Sequence, residues 1–333
     1  MIEIDGSYGE GGGQILRTAT SLAALTRNDV KISNIRGSRP NPGLKTQHLK
    51  GVETLAELCS AEMEGADIGS QKLTFCPGKV RSGKLDVDIG TAGSITLLLQ
   101  SLMPLALSCD EEIELKIRGG TDVKWSPPID YFKHVLLPLL ENRGYEAKME
   151  VKKRGFYPKG GGEVHFRAEP SELKKFDLTE RGEIKKIKGI SYASNHLRNA
   201  SVAERQKKSA RKRLEENFDL DIEIKTEYCD SLSPGSGIQL WLETEKSRIG
   251  GNALGEKGKA SENVGKEAAE DLIRNSGGAV DRYAGDQLLV YLALAGGRIK
   301  PSEVAGHCKT NLWTIEKFID GDLQNENGLV ELI

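Results

Sequence analysis

Apolar positions recur along the chain in two rhythms. A period near 3.6 predicts helices over Ile15 to Leu25, Thr46 to Leu58, Tyr131 to Arg143 and Ala203 to Asn217. Shorter runs bounded by turn residues predict strands over Gln71 to Cys76, Leu85 to Ile89, Tyr145 to Lys152, Glu163 to Ala168, Asp221 to Tyr228 and Ile238 to Glu243. The alternation of the two places the chain in the mixed α/β class. The segments opening at Thr46, Tyr131 and Ala203 share one plan: a helix, a strand, a Gly-containing turn and a second strand. That recurrence predicts a repeated fold. The most apolar stretch, Ile95 to Cys109, is interrupted by Gln100 and Pro104. It is shorter than the ~20 residues that span a bilayer, so it reads as a buried helix and no membrane partner is expected.

Two Gly-containing turns enter apolar helices in a similar way. Asp88-Ile89-Gly90-Thr91-Ala92-Gly93-Ser94 leads to the helix holding Gln100, and Val280 to Gln287 leads to Leu288 to Ala295. The Leu and Ile positions are core. A Gln on such a helix needs hydrogen-bond partners, which protein or ligand can supply.

Between about 180 and 275 Lys and Arg become dense and the large apolar helices stop, which marks a smaller inserted domain. Its basic helix has Ala203, Ala210, Leu214 and Phe218 near helical spacing, so its charged face reads as solvated in preference to RNA-binding. Over the whole chain 47 basic and 49 acidic residues leave a formal charge of -2, so any anionic substrate must be held by a local basic site. The five cysteines form no C-x-x-C pair, against zinc ribbons and redox motifs, and suit a reducing, cytoplasmic setting. The first residues show no signal-peptide pattern. Glycine is abundant, 38 of 333 residues against a usual ~7%.

Some of that glycine is concentrated where chemistry is expected. Gly78 to Leu85 nearly matches a P-loop, but Leu85 replaces the required hydroxyl and the context is a hairpin. Gly9-Glu10-Gly11-Gly12-Gly13-Gln14 begins like a dinucleotide fingerprint, but Gln14 stands at its last glycine. This loop nonetheless precedes an amphipathic helix, where glycine permits close backbone approach and a helix N-terminus favours phosphate. Arg17 on that helix, with Arg36 and Arg39 in a Gly/Pro-rich loop, makes an anion site the preferred reading. Among the histidines, His48, His134 and His165 read as structural and His196 as ambiguous. His307 precedes a predicted helix over Leu312 to Ile319, with Thr310 and Asn311 as N-cap candidates. Neutral imidazole there is a competent nucleophile toward phosphorus.

The ordered set Gly9 to Arg17, Arg36 to Leu44, Gly90 to Ser94, Tyr157 to Glu163, Asp286-Gln287-Leu288 and His307 with Thr310-Asn311 resembles the RNA 3'-terminal phosphate cyclase family over essentially the full length. The resemblance implies a large domain, 1–180 with 276–333, of repeated two-helix, four-stranded-sheet units. It implies an inserted smaller α/β domain of thioredoxin-like topology at 181–275. It further implies conversion of an RNA 3'-phosphate to a 2',3'-cyclic phosphate with ATP and Mg²⁺ or Mn²⁺. His307 matches the histidine that takes up AMP. Gln100, Pro127, Tyr283, Asp286 and Gln287 match ATP-site positions, and Tyr283 would stack on adenine. Glu10 matches a carboxylate associated with the metal and the ATP phosphates. Gln14, Arg17, Arg36 and Arg39 match positions near phosphates or the RNA end. A related group shares the fold but lacks the histidine and acts in ribosomal RNA processing without the chemistry. The presence of His307 favours the cyclase. The K-x-D-G motif of lysine-adenylating ligases is absent, since Lys317 to Gly321 carries one residue too many.

Overall fold

The structure is a computed structural model that describes residues 1–321, 323–326 and 328–332. Among these, sixteen strands form four four-stranded sheets. The first sheet contains β1 (Ile2–Asp5), β2 (Val30–Ser33), β3 (Glu62–Glu64) and β4 (Leu73–Cys76) in the order β1-β2-β4-β3. The second contains β5 (Gly83–Asp88), β6 (Ile113–Gly119), β7 (Ala147–Lys153) and β8 (Gly162–Ala168) in the order β5-β6-β8-β7. In each, the first two strands are parallel and the rest antiparallel. Strict alternation explains the buried faces. In β6, Ile113, Leu115 and Ile117 enter the core, while Glu114, Lys116 and Arg118 stay at its polar side.

The third sheet of this kind is split in sequence. Its first strand, β9 (Phe176–Leu178), is followed by β10 (Ile184–Ser194), β11 (Ile222–Cys229), β12 (Ser236–Thr244) and β13 (Arg248–Leu254), which form a sheet of their own. Only then come β14 (Gly297–Ile299), β15 (Leu323–Glu326) and β16 (Leu329–Leu332). The order β9-β14-β16-β15, with β9 parallel to β14, repeats the plan of the first two sheets. The intervening sheet runs β11-β10-β12-β13, a different order. The segment from Ala203, expected to be one of the repeats, therefore follows another plan, and the third repeat is assembled from both sides of it.

Each repeat carries two helical crossovers. In the first repeat these are α1 (Gly13–Thr26) and α2 (Thr46–Cys59). In the second, α3 (Ile95–Leu102) runs into a 3-10 turn at Met103–Ser108. The long apolar helix expected to reach Cys109 thus tightens at Pro104, which lacks an N–H and crowds the preceding turn. The second crossover passes through α4 (Ile129–Tyr131), a π-helical turn at Phe132–Leu136 and α5 (Leu137–Glu141), rather than one regular helix to Arg143. Pro138 in the first turn of α5 withholds an amide that an uninterrupted helix would use. The sheet β10–β13 is covered by α6 (Val202–Glu215) and α7 (Ser261–Asn275), with its own apolar cluster that includes Leu214, Ile224, Leu240 and Leu272. The arginines of α6 are paired: Arg205 donates two bonds to Glu262, Arg211 meets Glu215, and Arg213 meets Glu216. The third repeat uses α8 (Arg282–Gln287) with α9 (Leu289–Ala295), then α10 (Gly306–Ile315). No helix among the described residues is long and apolar enough to cross a membrane.

Arg154 joins the inserted sheet to the second repeat. Its buried guanidinium donates to Asp130 at 2.6 Å, Asp122 at 3.3 Å and Glu227 at 3.2 Å, and lies 3.9 Å over the Tyr192 ring. Its carboxylate partners hold its pKa well above the ordinary arginine value against the opposing effect of burial.

Candidate active site

The first crossover helices of the three repeats meet around one cleft. It is lined by Gln14, Arg17, Thr18 and Ser21 of α1, Gln100 of α3, and Asp286 and Gln287 of α8. Asn311 of α10 and Phe132 and Leu136 of the π-helical turn close it. The α1 residues fall at i, i+3, i+4 and i+7, so a polar stripe runs down one helical face. The enclosed volume is about 30 Å³. That suits ordered water rather than a nucleotide, whose sites run to roughly 300–1,000 Å³. Larger ligands must meet these side chains at the rim.

Asp286 is the hub. Its Oδ1 accepts from Gln14 Nε2 at 2.6 Å and from Asn311 Nδ2 at 2.7 Å. Gln14 Nε2 also donates to the His307 carbonyl at 2.9 Å, and Thr18 Oγ1 bonds Asn311 Oδ1 at 2.7 Å. Asn311 is therefore no N-cap. It stands in the second turn of α10 and ties that helix to α1 and α8. Burial raises the Asp286 carboxyl to about 6, with His307, Arg17, Asn311 and Gln14 opposing the rise. Arg17 donates to Gln100 Oε1 at 3.2 Å, and burial lowers its guanidinium to about 10. It stays cationic at neutral pH. The Oε1 atoms of Gln14 and Gln287 and Ser21 Oγ are buried without a partner. Such orphaned atoms fit a ligand or water that brings donors.

His307 lies inside α10, in its first turn, because the helix begins at Gly306 and ends at Ile315 instead of spanning Leu312 to Ile319. Its Nδ1 lies 3.1 Å from Glu10 Oε2. A proton on Nδ1 directed at that carboxylate leaves the Nε2 lone pair free. Arg39 approaches the same Glu10 oxygen at 3.8 Å. Glu10, half-exposed at the N-terminus of α10, occupies a position favourable to negative charge.

The glycine-rich loop earns its composition through crowding by the protein itself. Gly9 and Gly11 have φ near +55° and +53°, a left-handed backbone that side chains disfavour. A Cβ on Gly9 would lie 2.5 Å from Thr310 Oγ1, and one on Gly12 would lie 2.9 Å from an Arg39 guanidinium nitrogen. Gly13 likewise faces His48 Nε2. The loop admits the protein's own Thr310, Arg39 and His48.

Other expected site residues are placed less centrally. Arg36 donates to the carbonyls of Asn41 and Gly43 and closes its own loop. Pro127 accepts from Thr96 Oγ1 through its carbonyl, at the first turn of α3. Tyr283 donates to Asp271 and accepts from Arg282, whose guanidinium lies over its ring, and burial raises its hydroxyl to about 12. Neither Pro127 nor Tyr283 lines the cleft. His48, read as structural, caps α2 and packs against the glycine loop. Its Nδ1 accepts the Lys45 amide, and burial with nearby Arg17, Arg36 and Lys45 lowers it to about 3, so it is neutral and turns Nε2–H toward the glycine loop. Thr18 and Ser21 were missed, though their spacing from Gln14 could have revealed them.

No cluster of three or more His, Cys, Asp or Glu suited to a metal occurs among the described residues. Glu10 alone still fits a hard cation that completes its shell with water and substrate phosphates, as Mg²⁺ commonly does.

A family model for RNA 3'-terminal phosphate cyclase matches residues 8–324. A relative of that name from Thermococcus kodakarensis is 52% identical, with 95% of this chain and 92% of the relative covered. The protein of the same name from Pyrococcus abyssi is 49% identical over 98% of this chain and 96% of its own length. That from Methanosarcina mazei is 46% identical over 100% and 99%. With the repeated sheets and the conjunction of Glu10, Asp286 and His307 already described, these matches establish that the chain belongs to the RNA 3'-terminal phosphate cyclase family.

Proposed function

We propose that this protein converts an RNA 3'-terminal phosphate into a 2',3'-cyclic phosphate at the expense of ATP, with His307 as nucleophile. The observation that carries the reading is the 3.1 Å contact between His307 Nδ1 and Glu10 Oε2, which leaves Nε2 free for phosphorus. Nε2 attacks the α-phosphorus of ATP. An N–P bond forms as the bond from that phosphorus to pyrophosphate breaks. An oxygen of the RNA 3'-phosphate then attacks the same phosphorus and displaces Nε2, giving an RNA(3')pp(5')A end. Finally the adjacent 2'-oxygen, losing its proton, attacks the terminal RNA phosphorus and AMP departs.

Each step has a physical reason. A phosphate monoester dianion has no good leaving group, and adenylylation supplies one. Ring closure is intramolecular and needs no second encounter. The bond from Gln14 to the His307 carbonyl anchors the backbone that carries the nucleophile. Arg17 and Arg39 bring positive charge to the phosphates. Gln100, Asp286 and Gln287 offer polar groups to the nucleotide, with Pro127 and Tyr283 flanking it and Arg36 shaping the loop that carries Arg39. Mg²⁺ or Mn²⁺ would be held by Glu10 and would offset negative charge on the phosphates. The domain division follows the same reading: 1–180 with 276–333 carries the chemistry, and 181–275 is an appendage of thioredoxin-like topology. Reaction in the cytoplasm suits the reduced thiols.

Incubation with α-³²P-ATP and Mg²⁺ or Mn²⁺ tests the assignment. Covalent label should appear, acid-labile and alkali-stable, and disappear in His307→Ala. Full labelling of that variant would exclude His307 as nucleophile. A 3'-phosphorylated oligonucleotide should be cyclised. Binding without cyclisation would point to a non-catalytic ribosomal-RNA assembly role.

A further inference from the structure

The three tryptophans have different surroundings. Trp241 is buried and stacked on His134, and Trp313 is stacked on Tyr8. Trp125 is 94% exposed and has no ring or cationic partner among the described residues. Its φ is +62°, a conformation rarely taken by a bulky residue. Such a combination is not explained by folding: the indole gains no burial, and the backbone under it is strained.

Trp125 nevertheless sits on a fixed loop. The Thr121 carbonyl accepts the Ile129 amide across it at 3.0 Å, Ser126 Oγ bonds the Val123 carbonyl, and Lys124 pairs with Glu256. Two residues after Trp125, the Pro127 carbonyl is held by Thr96 in the first turn of α3. A second exposed aromatic stands on the adjoining loop. Tyr157 is 76% exposed, and the two loops are joined where Asp122 pairs with Phe156 and where Thr121 and Asp122 donate to the Gly155 carbonyl. Gly160 packs this loop against Thr91 and Ala92, at the entry to α3. Lys159, exposed and without an ion-pair partner among the described residues, lies beside Tyr157. Both loops thus rest on the N-terminal end of the helix whose Gln100 lines the cleft.

We propose that Trp125 and Tyr157 form a stacking platform for unpaired bases of the RNA strand leading to the 3'-end, with Lys159 meeting its backbone. The proposal rests on the cyclase reading for the identity of the polymer. Aromatic faces of this kind hold single-stranded bases without sequence preference, and an interleaved cation serves the phosphates. A base-paired end already has its bases stacked and gains little from the platform.

The test uses the full chain and a 5'-fluorescein-labelled, 3'-phosphorylated RNA hexamer, with binding followed by fluorescence anisotropy at fixed salt. Trp125→Ala with Tyr157→Ala should weaken binding at least about 5-fold, since loss of even one stacked base costs about 5- to 150-fold. Trp125→Phe with Tyr157→Phe should restore it to within about threefold. Affinity for a blunt duplex of equal length should not change, nor should the rate of covalent labelling by ATP. Unaltered hexamer binding by the double alanine variant would overturn the platform, as would labelling that falls in step with RNA affinity. Failure of the parent protein to bind the hexamer would overturn it too. If the parent binds and the alanine variant loses affinity, but neither cyclises the RNA, the platform stands and the cyclase reading falls.

Discussion

Glu10 and His307, brought together from opposite regions of the sequence, meet with Oε2 and Nδ1 3.1 Å apart. This contact selects which imidazole nitrogen carries the proton. Glu10→Ala removes the selection and the charge, and should slow covalent labelling by ATP at least about tenfold, as losses of ligand-orienting partners commonly do. Glu10→Gln can still accept from Nδ1 and should fall between the two. Rapid-quench labelling measures this. Equal rates for all three proteins would show that the carboxylate does not act through His307.

Asp286 gives stability a pH dependence whose sign is fixed by its environment. Its folded pKa, about 6, is raised by burial above the ordinary value of 3.8. The folded state therefore binds the proton more tightly than the unfolded chain. The resulting stabilisation is fully present below about pH 4 and is lost as pH rises through 6. Asp281, fully buried and also raised to about 6, adds the same trend. Asp286→Asn keeps an acceptor for Gln14 and Asn311 but cannot titrate. Urea midpoints of wild type and variant, measured from pH 4 to pH 7.5, should show the variant gaining relative stability as pH rises.

Glycine substitutions separate two effects. Gly69 has φ of +85° with nothing within 4 Å of a Cβ, so Gly69→Ala tests backbone strain alone. Gly9→Ala adds a clash with Thr310 Oγ1. We expect about 1 kcal/mol for the first and about 2–3 kcal/mol for the second. Combining Gly9→Ala with Thr310→Ala should recover the difference, as read from denaturant midpoints.

Arg154→Ala should be among the most damaging single changes outside the cleft. It leaves buried Asp122 and Asp130 without their cation. Removing one partner from a buried ion-pair group typically costs about 3–5 kcal/mol. Truncating Lys79, whose pair with Asp110 is exposed, should change stability far less. A comparable loss in both variants would mean that burial does not set the worth of these pairs.

Much of this was legible in the sequence because local patterns dictate it. The alternation in β8 and the apolar periodicity of α2 identify those elements almost residue for residue. The third repeat was hidden for a physical reason: β9 has three residues, too few to show a rhythm, and its partner β14 lies beyond the inserted sheet. The glycine-rich loop was recognised as a place of close approach, but the sequence does not show that Thr310, Arg39 and His48 do the approaching. The roles of Thr18, Ser21 and Asn311 depend on how α1, α8 and α10 pack, and such non-local contacts have no sequence period.

The convergence of α1, α8 and α10 has a consequence during synthesis. The face bearing Gln14 and Arg17 leaves the ribosome long before Asp286 and His307 exist. For most of translation the polar stripe on α1 lacks its permanent partners and must stay hydrated or find temporary ones. Final closure of the cleft is then a late docking event in the life of the nascent chain, and the His307 imidazole meets its neighbours only when that docking succeeds. Catalytic competence thereby reports that both distant portions of the polypeptide have folded together.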